Sequence, residues 1–267
     1  MSYYNLISLM PKVSIPIVSD PDAQAFLNAA VITNVTEANA INTLVVDLKG
    51  YNIWTKFKAI YPIVGGTASS HKFNLKDPRD LDAAFRLTFA SGWTHSANGM
   101  TPLVTYANTF LNANSILTQN STHISYYSRT NSNGTEVEMG GLSGGSQLLL
   151  EIRTSNITYF VVNTNGGYPT YSDSDSRGFY VANRTASNVV NGWKTGVKVA
   201  SNTSASTTPP SFNLYLGAYN NGAGLGLLPT TKQCAFASIG DGLTDTEAAN
   251  FYTAVQAYQT TLNRQIP

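Results

Sequence analysis

From Lys72 to Ile239 the chain is a succession of short apolar and β-branched runs, each closed by a cluster of Asn, Gly, Ser or Thr. Runs of that length and spacing are strands, and many of them in series with frequent turns give a sandwich or a jelly roll. Strands are predicted near Lys72–Leu75, Phe85–Ala90, Thr122–Arg129, Glu136–Met139 and Gln147–Arg153. Further strands are predicted near Thr158–Asn163, Gly178–Arg184, Val189–Trp193, Phe212–Tyr219 and Cys234–Ile239. No repeat of fixed period is visible, which argues against a propeller or a solenoid.

The last strand ends at Gly240-Asp241-Gly242, and a helix follows at once. Thr244 is a good N-cap, and Glu247 three residues on can close a capping box. Ala248, Phe251, Val255, Tyr258 and Leu262 then recur at spacings of three and four. That single apolar face must lie on a sheet or on a neighbour. Two more helices are expected over Asp20–Ala30 and Thr36–Lys49, where Ala40, Ile41, Leu44, Val45 and Leu48 form a stripe and Gly50 is a natural stop. The expected organisation is an extended N-terminal anchor over 1–19, a helical segment and connection over 20–70, and a jelly-roll domain with its terminal helix over 71–267.

Only 12% of the residues are charged while 42% are hydrophobic, a balance that argues against disorder. A net charge of +1 and the absence of any Lys/Arg run leave no basic face for nucleic acid. Cys234 is the only cysteine, so there is no intramolecular disulfide framework, and it is expected in the core. The N-terminus, MSYYNLISLMPKVSIPIV, is apolar in patches but interrupted by Pro11 and Pro16. No apolar run approaches the roughly 20 residues of a membrane span, so membrane insertion is not expected. So much exposed Tyr, Leu, Ile and Val suggests that this segment docks on a partner chain.

Three stretches carry a resemblance: Asn183–Val199 (NRTASNVVNGWKTGVKV), Phe212–Asn220 (FNLYLGAYN), and the closing strand and helix with IGDGLTDTEAANFY. They resemble laminin-G-like jelly rolls of the concanavalin A type, in the version found in phage virion proteins. The segment Ala38–Phe89, with LKGYNIWTKFKAIYPIVGGTASSHKFNLKDP, is similar to the first part of such proteins. The resemblance implies a mainly β, concanavalin A-like sandwich with an N-terminal helical segment and a C-terminal helix. It also implies a structural protein on a tail or head appendage of a tailed phage, made in the cytoplasm of the host bacterium. Fold does not fix activity.

Three constellations test for catalysis. Gly141-Leu142-Ser143-Gly144-Gly145 fits G-x-S-x-G, but a strand follows and His71, His95 and His123 all precede the serine, so a turn is expected. Glu136-Val137-Glu138 is the nearest approach to a glycanase E-x-D-x-x-E pattern, with Gly141 where the third carboxylate belongs. Those two glutamates are expected on an exposed strand face, solvated and undifferentiated. The histidines have no zinc-ligand spacing. No catalytic residue is assigned. Asp173 and Asp175 in YSDSDSRG are the metal candidates, because alternating oxygen ligands on a loop suit Ca²⁺. No other cofactor is expected.

Asn, Ser, Thr, Tyr and Trp supply neutral hydrogen bonds and flat apolar faces, which sugar rings require. Trp93, Tyr168, Tyr171 and Trp193 fall in or beside turns and are the carbohydrate-binding candidates, while Trp54 is assigned to the core. The leading expectation is a virion structural protein whose lectin-like domain binds host surface glycans or neighbouring subunits, as a homo-oligomer. The alternatives are a polysaccharide depolymerase and an architectural decoration or collar protein.

Overall fold

The computed structural model describes residues 14–266. In chain order it contains α1 (Pro21–Ala30), α2 (Val35–Gly50), β1 (Phe57–Tyr61), α3 (Ala68–His71), β2 (Thr88–Phe89), β3 (Trp93–Ser96) and β4 (Gly99–Pro102). There follow β5 (Ala107–Asn112), α4 (Ala113–Ile116), β6 (Thr122–Ser128), β7 (Met139–Ser143), β8 (Ser146–Thr154), β9 (Ile157–Thr164) and β10 (Thr170–Ser172). The chain closes with β11 (Gly178–Ala186), β12 (Val189–Lys194), β13 (Val197–Asn202), β14 (Asn213–Leu216), β15 (Tyr219–Asn220), β16 (Gly226–Leu227), β17 (Cys234–Gly240) and α5 (Asp245–Thr261).

Two sheets face each other. The first runs β13-β12-β11-β6-β17-β4-β3, with β1 also paired to β17. The second runs β10-β9-β8-β7-β14-β5-β2, with β15 beside β7 and β16 on β15. Apart from the parallel contact of β15 with β7, the strand pairs are antiparallel. Ile124, Tyr126, Tyr180, Ala182, Val190 and Ile239 of the first sheet pack on Leu148, Leu150, Phe160, Val162, Leu214 and Leu216 of the second. The other face of the first sheet, with Tyr127, Phe179, Val181 and Phe236, is covered by α1, α2 and α5. Strands β6 and β17 are therefore buried along their whole length.

The helices form where local signals place them. Asp20 caps α1 by accepting from the amides of Asp22 and Ala23. Both bonds of the Thr244/Glu247 capping box are made, and Ala248, Phe251, Val255 and Tyr258 of α5 are buried. Gly50 is not a stop residue; it is the last residue of α2, and Tyr51 caps the helix.

The strand expectations hold for the long central strands and fail where loops imitate them. Lys72–Leu75 is not a strand: Phe73 and Leu75 are buried from a loop pinned by Asn74. The Asn74 side chain accepts from the Ile60 amide at 2.9 Å and donates to the Ala84 carbonyl at 3.0 Å. Phe85–Ala90 keeps only β2, and Phe212–Tyr219 breaks at Gly217, whose φ of +87° and proximity to Trp93 (a Cβ there would lie 2.8 Å from the ring) require glycine. Strand β1, within the stretch read as helix and connection, pairs with β17. Cys234 is buried as expected. The anchor expected over 1–19 lies mostly outside the described residues; of its end, Ile15 and Val18 pack on the helical core and Ile17 is exposed.

Candidate functional site

The structure does not bring the four predicted aromatics together. Trp193 is buried, 6% exposed, with its ring on the helix side of the first sheet and its Nε1 without a partner. It is a core residue, which corrects its assignment as a sugar platform. Its nearness to a turn does not put it outside, because it lies within β12 and both faces of this sheet are covered. Trp93 lies at the far edge of the same sheet, half-buried between Phe89 and His95, and donates from Nε1 to the Tyr106 carbonyl at 3.1 Å. Tyr171, on edge strand β10, lines a groove of about 450 Å³ with Asp175, Arg177, Lys194, Val197 and Val199.

The calcium expectation meets a different arrangement. Asp173 is buried, and its carboxylate accepts from Lys194 Nζ at 2.5 Å, Thr158 Oγ1 at 2.9 Å and Tyr180 OH at 2.7 Å. Asp175 is paired with Arg177 at 2.7 Å, and that guanidinium holds its carboxyl below the ordinary carboxylate range. Each aspartate thus has its own cation, so a Ca²⁺ ion would have to displace Lys194. Among the described residues no group of three His, Cys, Asp or Glu is placed to hold a metal. Asp173 and Asp175, the predicted metal candidates, stand in ion pairs with Lys194 and Arg177.

Glu136 and Glu138 also differ from expectation, because they precede β7 and are not solvated. Lys232, fully buried, lies 2.8 Å from Glu136 and 3.0 Å from Glu138. Thr230 donates toward both carboxylates at 3.1 and 2.9 Å. The two groups are differentiated after all: burial raises the Glu138 pKa against the pull of Lys232. For Glu136 the bonds and charge of Lys232 outweigh burial and lower it. Ser143 stands at the β7–β8 turn, as expected, with Gly144 and Gly145 at positive φ in the bend. Its hydroxyl accepts from the Ser211 amide at 2.8 Å. His123 is buried between Ser238 and the Asp241 carbonyl, while His71 and His95 face each other through Nδ1 at 3.0 Å.

The outer face of the second sheet is the place where the chemistry expected of a sugar site is assembled. Its apolar cluster, Val137, Leu149 and Val161, contains no helical residue, and among the described residues the partly buried rings of Tyr159, Tyr168 and Tyr219 are the hydrophobic side chains packed on it. Leu149 and Val161 are 4% and 1% exposed, so the phenol rings do the covering. Register fixes the layout. Tyr159 on β9 lies opposite Glu151 on β8, and Val161 lies opposite Leu149. Leu149 is opposite Gly140, which is in turn opposite Tyr219. With strands about 4.8 Å apart, β9 and β15 stand roughly 14 Å from each other across this face. Tyr168 meets Tyr159 edge-on, ring centres 5.8 Å apart. Glu151, half-buried beside these rings, has its pKa raised to about 7, chiefly by burial and then by the charge of Glu138.

Of this face only Tyr168 was anticipated. Tyr159 was legible in the alternation of ITYFVVN, which sets Tyr159 and Val161 on one side and Phe160 and Val162 on the other. Tyr219 and Glu151 were not, because their neighbours come from other strands.

No protein-family model matches the chain. No curated protein matches it either. Solved structures do. The binding domain of botulinum neurotoxin serotype D overlays with a TM-score of 0.50 at 10% identity, over 76% of this chain and 52% of that one. The chain therefore spans about half the length of that toxin chain. Domain 4 of a GH43 extracellular arabinanase from Geobacillus stearothermophilus, solved with arabinotriose, overlays at 0.42 with 12% identity, over 73% of this chain and 98% of that one. The CBM40 of a Ruminococcus gnavus IT-sialidase overlays at 0.37 with 16% identity, over 50% and 82% of the two chains. Only the first overlap bears on the fold, and at that identity it bears on nothing else. The chain is a mainly β jelly-roll sandwich with a C-terminal helix.

Proposed function

We propose that this protein is a lectin-like, non-catalytic binding protein that holds a glycan on the outer face of its second sheet. The observation that carries the reading is the set of half-exposed tyrosines, Tyr159, Tyr168 and Tyr219, laid over buried aliphatics with no helix packed on them among the described residues. Such rings offer flat apolar faces and a hydroxyl at the rim, the pairing that lets an aromatic serve a partly wet, partly apolar ligand. A glycan array probed with purified protein tests it: binding to a defined set of sugars is expected, and a blank array contradicts it.

Binding without hydrolysis is favoured by the state of the carboxylates. A glycosidase needs an acid and an ionised partner reaching one bond, about 5–9.5 Å apart. Glu136 and Glu138 are differentiated, but both are tied to Lys232 and Glu138 is fully buried. Glu151 is the carboxyl left at the tyrosine face.

The sequence resemblance extends the reading to a virion: a tail or head appendage protein of a tailed phage, made in the host bacterium, binding host glycans or neighbouring subunits as a homo-oligomer. Among the described residues no helix is long and apolar enough to cross a membrane. The N-terminal segment is the proposed joint to other virion proteins. Removing Met1–Val13 keeps Ile15 and Val18 on the helical core. The truncated chain is expected to melt like the full one yet to be missing from purified particles; normal incorporation contradicts the joint.

A further inference from the structure

We propose that Glu151 is the polar anchor of the tyrosine face, its carboxylate accepting paired hydroxyls of a neutral sugar and rejecting acidic ones. The inference rests on the glycan reading of that face and goes further, naming the sugar class and the residue that selects it.

Position comes first. Glu151 is the cross-strand partner of Tyr159 and lies two residues from Leu149, so its side chain shares their side of β8. A ring stacked on Tyr159 would have its rim hydroxyls beside this carboxyl. Satisfaction comes second. Glu136 and Glu138 share Lys232, Asp173 has Lys194, and Asp175 has Arg177. Among the described residues no hydrogen-bond donor reaches the Glu151 carboxyl, although it is half-buried. A half-buried carboxyl with no protein donor, its oxygens still open to solvent, can accept two hydroxyls of an arriving ligand, and hydrogen bonds to a charged acceptor are the strong ones.

Charge decides which ligand. The titratable groups around Glu151 are Tyr159 from β9, Glu138 with Lys232 and Glu136 from beyond β7, and Arg153 further along β8 itself. The Arg153 guanidinium is turned to Asn131 and Asn156. With Glu151 ionised, three carboxylates stand against two cations, Lys232 committed to Glu136 and Glu138 and Arg153 turned to Asn131 and Asn156, so this end of the face keeps an acidic excess. A uronate or sialate would be repelled, whereas neutral hydroxyls would be drawn in. Burial and the Glu138 charge hold the Glu151 pKa at about 7 in the free protein. A ligand that donates to the ionised form therefore binds more tightly as pH rises through 7. One linked proton limits the gain to about tenfold per pH unit below that value.

The test is a printed array of neutral oligosaccharides beside their sialylated and uronate-bearing counterparts, probed at pH 5.5 and pH 8 with wild type, Glu151→Gln and Tyr159→Ala. Wild type is expected to prefer the neutral member of each pair and to bind it at least tenfold more tightly at pH 8. Glu151→Gln should lose about tenfold at pH 8 and keep no pH dependence, with thermal unfolding as cooperative as wild type. Three results overturn the proposal: preference for the acidic members, pH-independent neutral binding, or a Glu151→Gln profile equal to wild type. In each of these, loss of binding in Tyr159→Ala would keep the glycan face itself. A blank array overturns both readings together.

Discussion

Single residues do much of the structural work here, and the most consequential were not legible in the sequence. Arg264 stands alone near the end of the chain, yet it is almost fully buried and among the described residues meets no carboxylate partner. Its guanidinium donates to the Gln259 side chain at 2.6 Å and to the carbonyls of Ile63 at 2.7 Å, Pro62 at 2.9 Å and Ala235 at 3.0 Å. It thereby ties the segment after α5 to β17 and to the loop after β1. Arg264→Ala strands several buried acceptors and is expected to lower stability by roughly 3 kcal/mol, as read in a urea titration. Glu151 gives the pH prediction at this scale. Its folded pKa of about 7 lies above the ordinary value of 4.5, so the native state holds its proton where the unfolded chain has released it. Its stabilising contribution is complete below pH 4.5 and is lost as pH rises through 7. Glu151→Gln should therefore match wild type at pH 4 and exceed it at pH 8. Equal differences at both pH values would contradict the shift.

Elements were readable from sequence in proportion to how local their causes are. Helix α5 was found because its cap, capping box and apolar stripe all lie within the stretch from Thr244 to Tyr258. Strand β1 was missed because what makes Phe57–Tyr61 a strand is β17, distant in sequence. Trp193 sits beside a turn in sequence, but on a strand covered on both sides that nearness does not tell core from surface. The layer that α5 belongs to can be tested at Phe251, whose ring centre lies 4.8 Å from that of Phe57 and 5.1 Å from that of Phe179. Phe251→Ala is expected to cost about 3–5 kcal/mol. A loss near zero in a denaturant titration would mean that α5 does not hold the first sheet.

At the scale of the whole molecule, the asymmetry of the layers is what defines the site. Helices α1, α2 and α5 cover one sheet and leave the outer face of the other to tyrosine side chains. A mainly β sandwich with helices was legible in the run of short strands and the two ends of the chain. Which sheet the helices cover was not, because that depends on strand order. The consequence is that the exposed aromatic rings and the carboxyl without a protein donor, Tyr159, Tyr219 and Glu151, collect on that outer face, away from the predicted Trp193. The measurement that tests this most directly compares wild type with Tyr159→Ala/Tyr168→Ala/Tyr219→Ala on a glycan that the wild-type protein binds. The triple variant should keep a cooperative melt and lose at least tenfold in affinity. Wild-type affinity in a folded triple variant would place the glycan elsewhere and contradict the account.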